Sequence, residues 1–218
     1  MIVSSNGIVG LIGGAAVNPE QMKSVLSFFD NYIAVDGGAD HCLRAGLRPA
    51  AVVGDMDSLS QQARATFSEI LCHISEQDTT DFEKAIARVS AAAVLAMGFT
   101  GGRLDHLLSV LNVLGRNRTR RILLLDEADI SFLTPPEGVS LALPAGTRIG
   151  LMPLDDVTVT ARGLTWPITA ARMHPTGMVS SSNQVKDPLV EISAKGPLVI
   201  TLPPTQLGAV LKAVVPAQ

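Results

Sequence analysis

The sequence predicts an α/β fold: a Rossmann-like, mostly parallel sheet with helices on both faces, followed by an all-β sandwich. Three observations support this. In the first half, short continuous apolar runs alternate with helical stretches, the pattern of strands buried on both faces of βαβ units. From Ile130 onward the apolar runs are separated by Pro, Gly and Asp, and no helix of any length is expected. The glycine and carboxylate clusters of the first half follow its strands, and such sheets bind ligands beyond those carboxyl ends.

Taken in order, residues 8–12 form a strand ending in Gly13-Gly14, and Pro19 with Glu20 opens a helical stretch to Phe29. Residues 32–35 form the second strand, which runs into Asp36-Gly37-Gly38 before a short helix over 41–45. The third, 51–53, leads into Gly54-Asp55-Met56-Asp57, and Ser58 or Ser60 caps a helix reaching Ile70. After a short fourth strand at 72–74, Thr80 and Glu83 have capping-box spacing for a helix that continues past Arg88. Residues 93–97 are the fifth strand, 98–105 a glycine-rich loop into a helix ending near Asn117, and 122–125 the sixth strand. The later strand candidates are 130–133, 139–143, 149–152, 157–160, 189–192 and 198–202. The division is expected near residues 127–129, giving domains 1–128 and 129–218.

With 218 residues, the chain can bury two separate cores. A hydrophobic share of 47% against 17% charged residues excludes a disordered chain. The net charge of −3, with no Lys/Arg run, argues against a nucleic-acid surface, so an anionic substrate needs a metal. Cys42 and Cys72 stand apart and read as reduced thiols of a cytoplasmic protein, and the four scattered histidines give no zinc pattern. The apolar stretch 8–17 has no preceding positive charge, unlike a secretory segment. No apolar run approaches the ~18 residues of a membrane span.

The chemistry centres on Asp55 and Asp57. Side chains at i and i+2 of an extended segment project the same way, so both carboxylates can reach one Mg²⁺ ion, with Gly54 leaving room for a ligand. The plainer reading is a surface turn. Asp78 and Asp81 are read as functional too, against a loop residue and a first-turn helix charge worth at most about 1 kcal/mol. Four carboxylates at one rim repel unless a cation compensates. Gly101-Gly102 with Arg103 and Asp105 is either a helix-opening turn or a guanidinium fork for phosphate oxygens. Trp166 is a core residue by default. Its neighbours Gly163 and Pro167 instead suggest a bent edge offering the ring to a flat cation. Ser180 to Asn183 is a polar loop or a donor set for a heteroaromatic ring, and His41, His73 and His174 are read as structural.

The ordered set AVDGGAD (34–40), VGDMDS (53–58), EQDTTDFEKAI (76–86), GFTGGRLDH (98–106), GLTW (163–166) and SSSN (180–183) resembles the thiamine pyrophosphokinase family. The resemblance implies an N-terminal α/β catalytic domain, a C-terminal β-sandwich and a homodimer with active sites between subunits. The implied reaction carries the terminal diphosphate of ATP to the hydroxyl of thiamine and releases AMP. By the same resemblance Asp55, Asp57, Asp78 and Asp81 are the Mg²⁺ and phosphate-site carboxylates, and Arg103 contacts phosphate beside Asp105. Asp36, Gly37 and Gly38 lie near the nucleotide, and Trp166, Ser182 and Asn183 lie on the thiamine side. Met56, Asp40 and Gln184 depart from the family pattern. Two alternatives are a Mg²⁺-dependent nucleotide hydrolase using the same aspartates, and a non-catalytic module that senses nucleotide or thiamine.

Overall fold

Continuous apolar runs fold as parallel strands here because helices follow nearly every one of them and cover the sheet. The computed structural model describes residues 1–76 and 78–216. In chain order the first half forms β1 (Val3–Ser4), β2 (Ile8–Ile12), α1 (Pro19–Val25), β3 (Asn31–Val35), α2 (Gly38–Arg44) and β4 (Val52–Gly54). Then come α3 (Gln61–Thr66), β5 (Leu71–His73), α4 (Asp81–Ile86), β6 (Val89–Ser90), β7 (Ala93–Met97), α5 (Leu104–Arg116) and β8 (Ile122–Leu125). Side-chain caps start three of the helices. Asn18 accepts from the N–H groups of Glu20 and Gln21, Ser60 from Ala63, and Thr80 from Glu83. The expected helix past Arg88 stops at Ile86, and the chain turns into the short β6.

β7, β2, β3, β4 and β5 lie side by side in that order, every pair parallel. The chain steps outward from β2 to β5 and then returns to lay β7 on the other side of β2, so the strand order reverses between β2 and β7. At such a reversal the connections leave in opposite directions and open a crevice at the carboxyl ends. The Gly13 N–H donates to the Met97 carbonyl at 2.7 Å there, and the Ala15 N–H to Gly98 at 2.9 Å. Val9, Leu11, Ile12, Ile33, Val52, Val53 and Leu95 are fully buried. Side chains on both faces of the sheet thus form the core.

Contacts divide the chain into two compact units, residues 1–113 with 124–127, and residues 114–123 with the chain from Ala128 onward. The second contains β9 (Ile130–Leu133), β10 (Val139–Ala142), β11 (Arg148–Pro153), β12 (Val157–Arg162), β13 (Ile168–Met173), β14 (Ser180–Gln184), β15 (Leu189–Lys195), β16 (Leu198–Leu202) and α6 (Leu207–Val214). β14, β11, β16 and β9 are hydrogen-bonded in that order, as are β10, β15, β12 and β13, and both sets are antiparallel. The chain is thus a mixed α/β protein with a mostly parallel sheet and an antiparallel β region.

Two expectations for this half are corrected. α6 forms where no helix was expected, because Leu207, Val210, Leu211 and Val214 have i, i+3, i+4, i+7 spacing and are buried together. At eight residues, it depends on that burial more than on propensity. The polar run at 180–183 is not a loop but most of β14, paired with β11 through its backbone. Among the described residues no helix is long and apolar enough to cross a membrane.

Gly38 shows how tightly α2 seats on the sheet, since a Cβ there would lie 1.8 Å from the Ile12 carbonyl oxygen. Backbone cannot yield as a flexible side chain does. Gly38→Ala should therefore lower the melting temperature by more than about 5 °C. Gly46→Ala, in the left-handed region at φ +68° but with open space around it, should lose only about 1–2 kcal/mol. Equal losses in thermal melts of the two variants would contradict the close approach.

Candidate active site

The site begins where β3 and β4 end. Asp36 follows Val35 at φ +45°, Met56 sits between Asp55 and Asp57 at φ +68°, and such angles are uncommon outside glycine. The Asp36 N–H donates to the Val53 carbonyl at 2.8 Å, holding the turn against the neighbouring strand. Between them Gly54 has φ +153°, and a Cβ on it would lie 3.0 Å from Asp36 Cβ and 3.3 Å from Asp81 Oδ1. The space that Gly54 leaves is therefore occupied by two of the protein's own acidic side chains. Strain gathered at two adjacent strand ends is the kind that persists where surrounding structure over-determines it.

Asp36, Asp55 and Asp57 each offer a carboxylate oxygen, and these oxygens lie within 4.8 Å of one another. The Asp57 N–H donates to Asp55 Oδ1 at 3.3 Å, and the Ser58 hydroxyl to Asp57 Oδ1 at 3.0 Å. Asp36 is buried and its Oδ1 has no hydrogen-bond partner. Burial pushes the Asp36 carboxyl above its ordinary range. The nearby Ser58 hydroxyl opposes this, and the Asp81 charge adds to it. An orphaned buried oxygen beside two further carboxylates suits a hard divalent cation, which prefers oxygen ligands. The other buried side-chain oxygen of this unit without a partner, among the described residues, is Thr100 Oγ1, just beyond β7.

Lys84 belongs to this constellation, although sequence reasoning passed over it. It projects from α4 with 2% of its side chain exposed, its Nζ 3.1 Å from Asp81 Oδ1 and 3.8 Å from Asp55 Oδ2. Burial alone would push its ammonium down. The hydrogen bond to Asp81, with the charges of Asp81, Asp55 and Glu76, carries it above its ordinary value. It is the resident countercharge of the acidic rim. The available signal was its place among Phe82, Ala85 and Ile86, all buried.

The expected site residues are not all gathered in one place. Asp81 binds Lys84 and stands outside the three-carboxylate group, as does Asp78, which is exposed. Glu76 organises their loop, accepting from the N–H groups of Asp78 at 2.9 Å and Thr79 at 3.1 Å and from the Thr79 hydroxyl. That hydroxyl chiefly holds the Glu76 carboxyl below its usual value. Asp36, expected near the nucleotide, also joins the acidic group, with Gly37 and Gly38 opening α2 behind it. Gly101 and Gly102 lie in an exposed loop at φ +78° and +66°. Next to them the Arg103 guanidinium makes two contacts with Asp105, Nη2 to Oδ2 at 2.5 Å and Nε to Oδ1 at 3.1 Å. The pair is exposed; each partner stabilises the other's charge, raising Arg103 and lowering Asp105.

In the second unit Trp166 is 61% exposed, so it is not a core residue. Ser182 is exposed and Asn183 is buried on β14. Asn183 Nδ2 donates to the Trp166 carbonyl at 2.8 Å, and the Trp166 N–H donates to Asn183 Oδ1 at 3.3 Å.

Comparison with known proteins adds a consistent set of similarities. Residues 22–124 match the family described as thiamin pyrophosphokinase, catalytic domain, and residues 137–199 the thiamin pyrophosphokinase vitamin B1 binding domain. Thiamine pyrophosphokinase 1 of Oryza sativa subsp. japonica is 30% identical over 179 residues, spanning 73% of this chain and 68% of the relative. Thiamine pyrophosphokinase of Bacillus subtilis (strain 168) is 27% identical over 166 residues, 71% of this chain and 78% of the relative. The solved thiamin pyrophosphokinase from Candida albicans superposes with a TM-score of 0.79 at 18% identity, covering 91% of this chain and 89% of that one. The Geobacillus thermodenitrificans structure gives 0.75 at 22%, covering 90% and 96%. At these identities the superpositions speak to the fold alone.

Two variants probe the electrostatics of the metal-free chain. Because the Asp36 carboxyl is raised on folding, its contribution to stability is intact below the ordinary value of 3.8. It is lost as pH climbs through the raised value. Asparagine cannot ionise, so Asp36→Asn should raise the melting temperature at pH 7 in chelator by roughly 2–5 °C. The gain should vanish by about pH 3; a gain that persists there would indicate packing instead. Lys84→Met keeps the apolar stem but strips the countercharge from Asp55 and Asp81. Its metal-free melting temperature should fall by roughly 3–8 °C, with partial recovery in Mg²⁺, and an unchanged midpoint would contradict the countercharge role.

Proposed function

The chain belongs to the thiamine pyrophosphokinase family, and on that premise we propose that it transfers the terminal diphosphate of ATP to the hydroxyl of thiamine, giving thiamine diphosphate and AMP. The observation that carries this reading is the group of Asp36, Asp55 and Asp57, with its orphaned oxygen, at the carboxyl ends of parallel strands. We assign these three as the residues that hold Mg²⁺. Bound there, the ion would neutralise charge on phosphoryl oxygens, the main requirement of such transfers. Asp78 and Asp81 face the same ligand from the α4 side, as a second tier of carboxylates.

In the proposed step, the thiamine hydroxyl oxygen forms a bond to the β-phosphorus of ATP and the hydroxyl proton departs. The bond from that phosphorus to the oxygen bridging to the α-phosphate breaks, and AMP leaves with that oxygen. Arg103 supplies the second charge. Its guanidinium is held in solvent by Asp105 on a glycine hinge, and a polyphosphate can draw it away to make charge-assisted bonds. We read the parallel sheet as Rossmann-like, with ATP across the β2/β7 reversal and Gly37, Gly38, Gly101 and Gly102 lining the approach. Residues 1–128 form the ATP and magnesium domain, and residues 129–218 a β-sandwich that presents Trp166 and Ser182 to thiamine. Thiamine is a cation, which suits both an indole face and an acidic rim. The working form is a cytoplasmic homodimer with active sites between subunits.

Incubation with ATP, Mg²⁺ and thiamine should yield AMP and thiamine diphosphate. ADP with thiamine monophosphate, or ATP breakdown without thiamine, would overturn the reading. Asp55→Asn and Asp57→Asn should each lower kcat by roughly 100-fold or more with the melting temperature little changed. A variant keeping most of its kcat would remove that residue from the metal site.

A further inference from the structure

The side chain of Asn183 has no hydrogen-bonding capacity left for a ligand. An asparagine amide offers two N–H donors and an oxygen with two lone pairs. Here Nδ2 donates to the Trp166 carbonyl at 2.8 Å and to Ser180 Oγ at 3.2 Å. Oδ1 accepts from the Trp166 N–H at 3.3 Å and the Gln184 N–H at 2.8 Å. The orientation of the amide follows from its partners, since two backbone donors face the oxygen while a carbonyl and a hydroxyl face the nitrogen. With 3% exposure, the group is also out of reach of solvent.

These bonds end on a segment that lacks a complete ladder of its own. Between β12 and β13, the backbone of residues 163–167 pairs with the end of β14 and the residues after it through an isolated Leu164–Val185 bridge, the Thr165 N–H to the Gln184 carbonyl at 2.8 Å, and two N–H donors to the Gly163 carbonyl. Pro167, next along, has no N–H to give. Asn183 thus stands in for a strand partner at Trp166, gripping both polar groups of its peptide backbone while the indole stays in solvent. An exposed aromatic on a short turn binds a flat ligand well only if the turn is fixed beforehand.

We propose that Asn183 is a positioning residue for Trp166, acting on the acceptor substrate through the indole and not touching it. This rests on the reading of Trp166 as the thiamine-side aromatic. It differs from an assignment of Asn183 as a ligand hydrogen-bond donor, which its saturated amide opposes.

The single tryptophan of the chain makes the test direct, because all indole fluorescence comes from Trp166. In the full-length protein without ligand, Asn183→Ala should lower the steady-state anisotropy of that fluorescence, with the far-UV dichroism spectrum unchanged. Its thiamine KM should rise about tenfold, as expected for the loss of a hydrogen-bonded support, while kcat and the ATP KM stay within about twofold. In a Trp166→Ala background the same substitution should add nothing to the thiamine KM. If alanine prevents folding, Asn183→Asp keeps the shape and both acceptor contacts, removes both donors, and should give the same pattern. Additive KM effects in the double variant, or a raised KM with unchanged anisotropy, would show direct contact and overturn the proposal. If Trp166→Ala itself leaves the thiamine KM unchanged, the thiamine-side reading fails and the proposal with it, whereas failure at Asn183 alone leaves that reading standing.

Discussion

Repulsion between carboxylates crowded around Gly54 is the constraint on which the rest of this structure depends. At the separations seen for Asp36, Asp55 and Asp57, all under 4.8 Å, two ionised groups repel by about 3 kcal/mol or more at an effective dielectric of roughly 20. A fold of marginal stability does not hold such groups together without compensation. Lys84 supplies part of it, reaching Asp55 and Asp81 from beneath the rim. Asp36, buried and with one oxygen unpartnered, is left with its carboxyl pushed upward. In the proposed function the remaining compensation comes with the bound cation.

The topology determines which acids meet. β3 and β4 are adjacent and parallel, so the residues just past their ends, Asp36 and Asp55, emerge side by side. β5 lies on the other side of β4, and α4, which follows it in the chain, packs against β4 and brings Asp81 and Lys84 to Asp55. Both ends carry left-handed backbone, at Asp36 and at Met56. The apolar strands, whose burial stabilises the unit, also set the spacing of its charges.

How much of this could be read from the chain varied with the range of the interaction. The helix opening at Pro19, the caps at Ser60 and Thr80 and the apolar strands of the first half are local patterns, and they were legible. The shared direction of Asp55 and Asp57 follows from a spacing of two. The inclusion of Asp36 does not, because it depends on which strands are neighbours. Lys84 was missed because lysine is ordinarily solvated, and only the packing of α4 against β4 makes it a buried countercharge. Asn183 has the composition of a ligand donor, whereas its partners are set by the path of the turn it grips. α6 carried its apolar spacing in plain view after Pro203-Pro204, within a half whose proline and glycine punctuation pointed to strands alone.

The central claim is that Asp36, Asp55 and Asp57 bind one divalent cation. Crystals grown with Mn²⁺, a hard ion of similar oxygen preference, and a non-hydrolysable ATP analogue would locate it by anomalous scattering. The account predicts a peak among these three side chains, with at least two of their carboxylate oxygens in the coordination shell at about 2.0–2.2 Å. A peak coordinated by Asp78 and Asp81 alone, or none at the rim with the nucleotide bound, would contradict it.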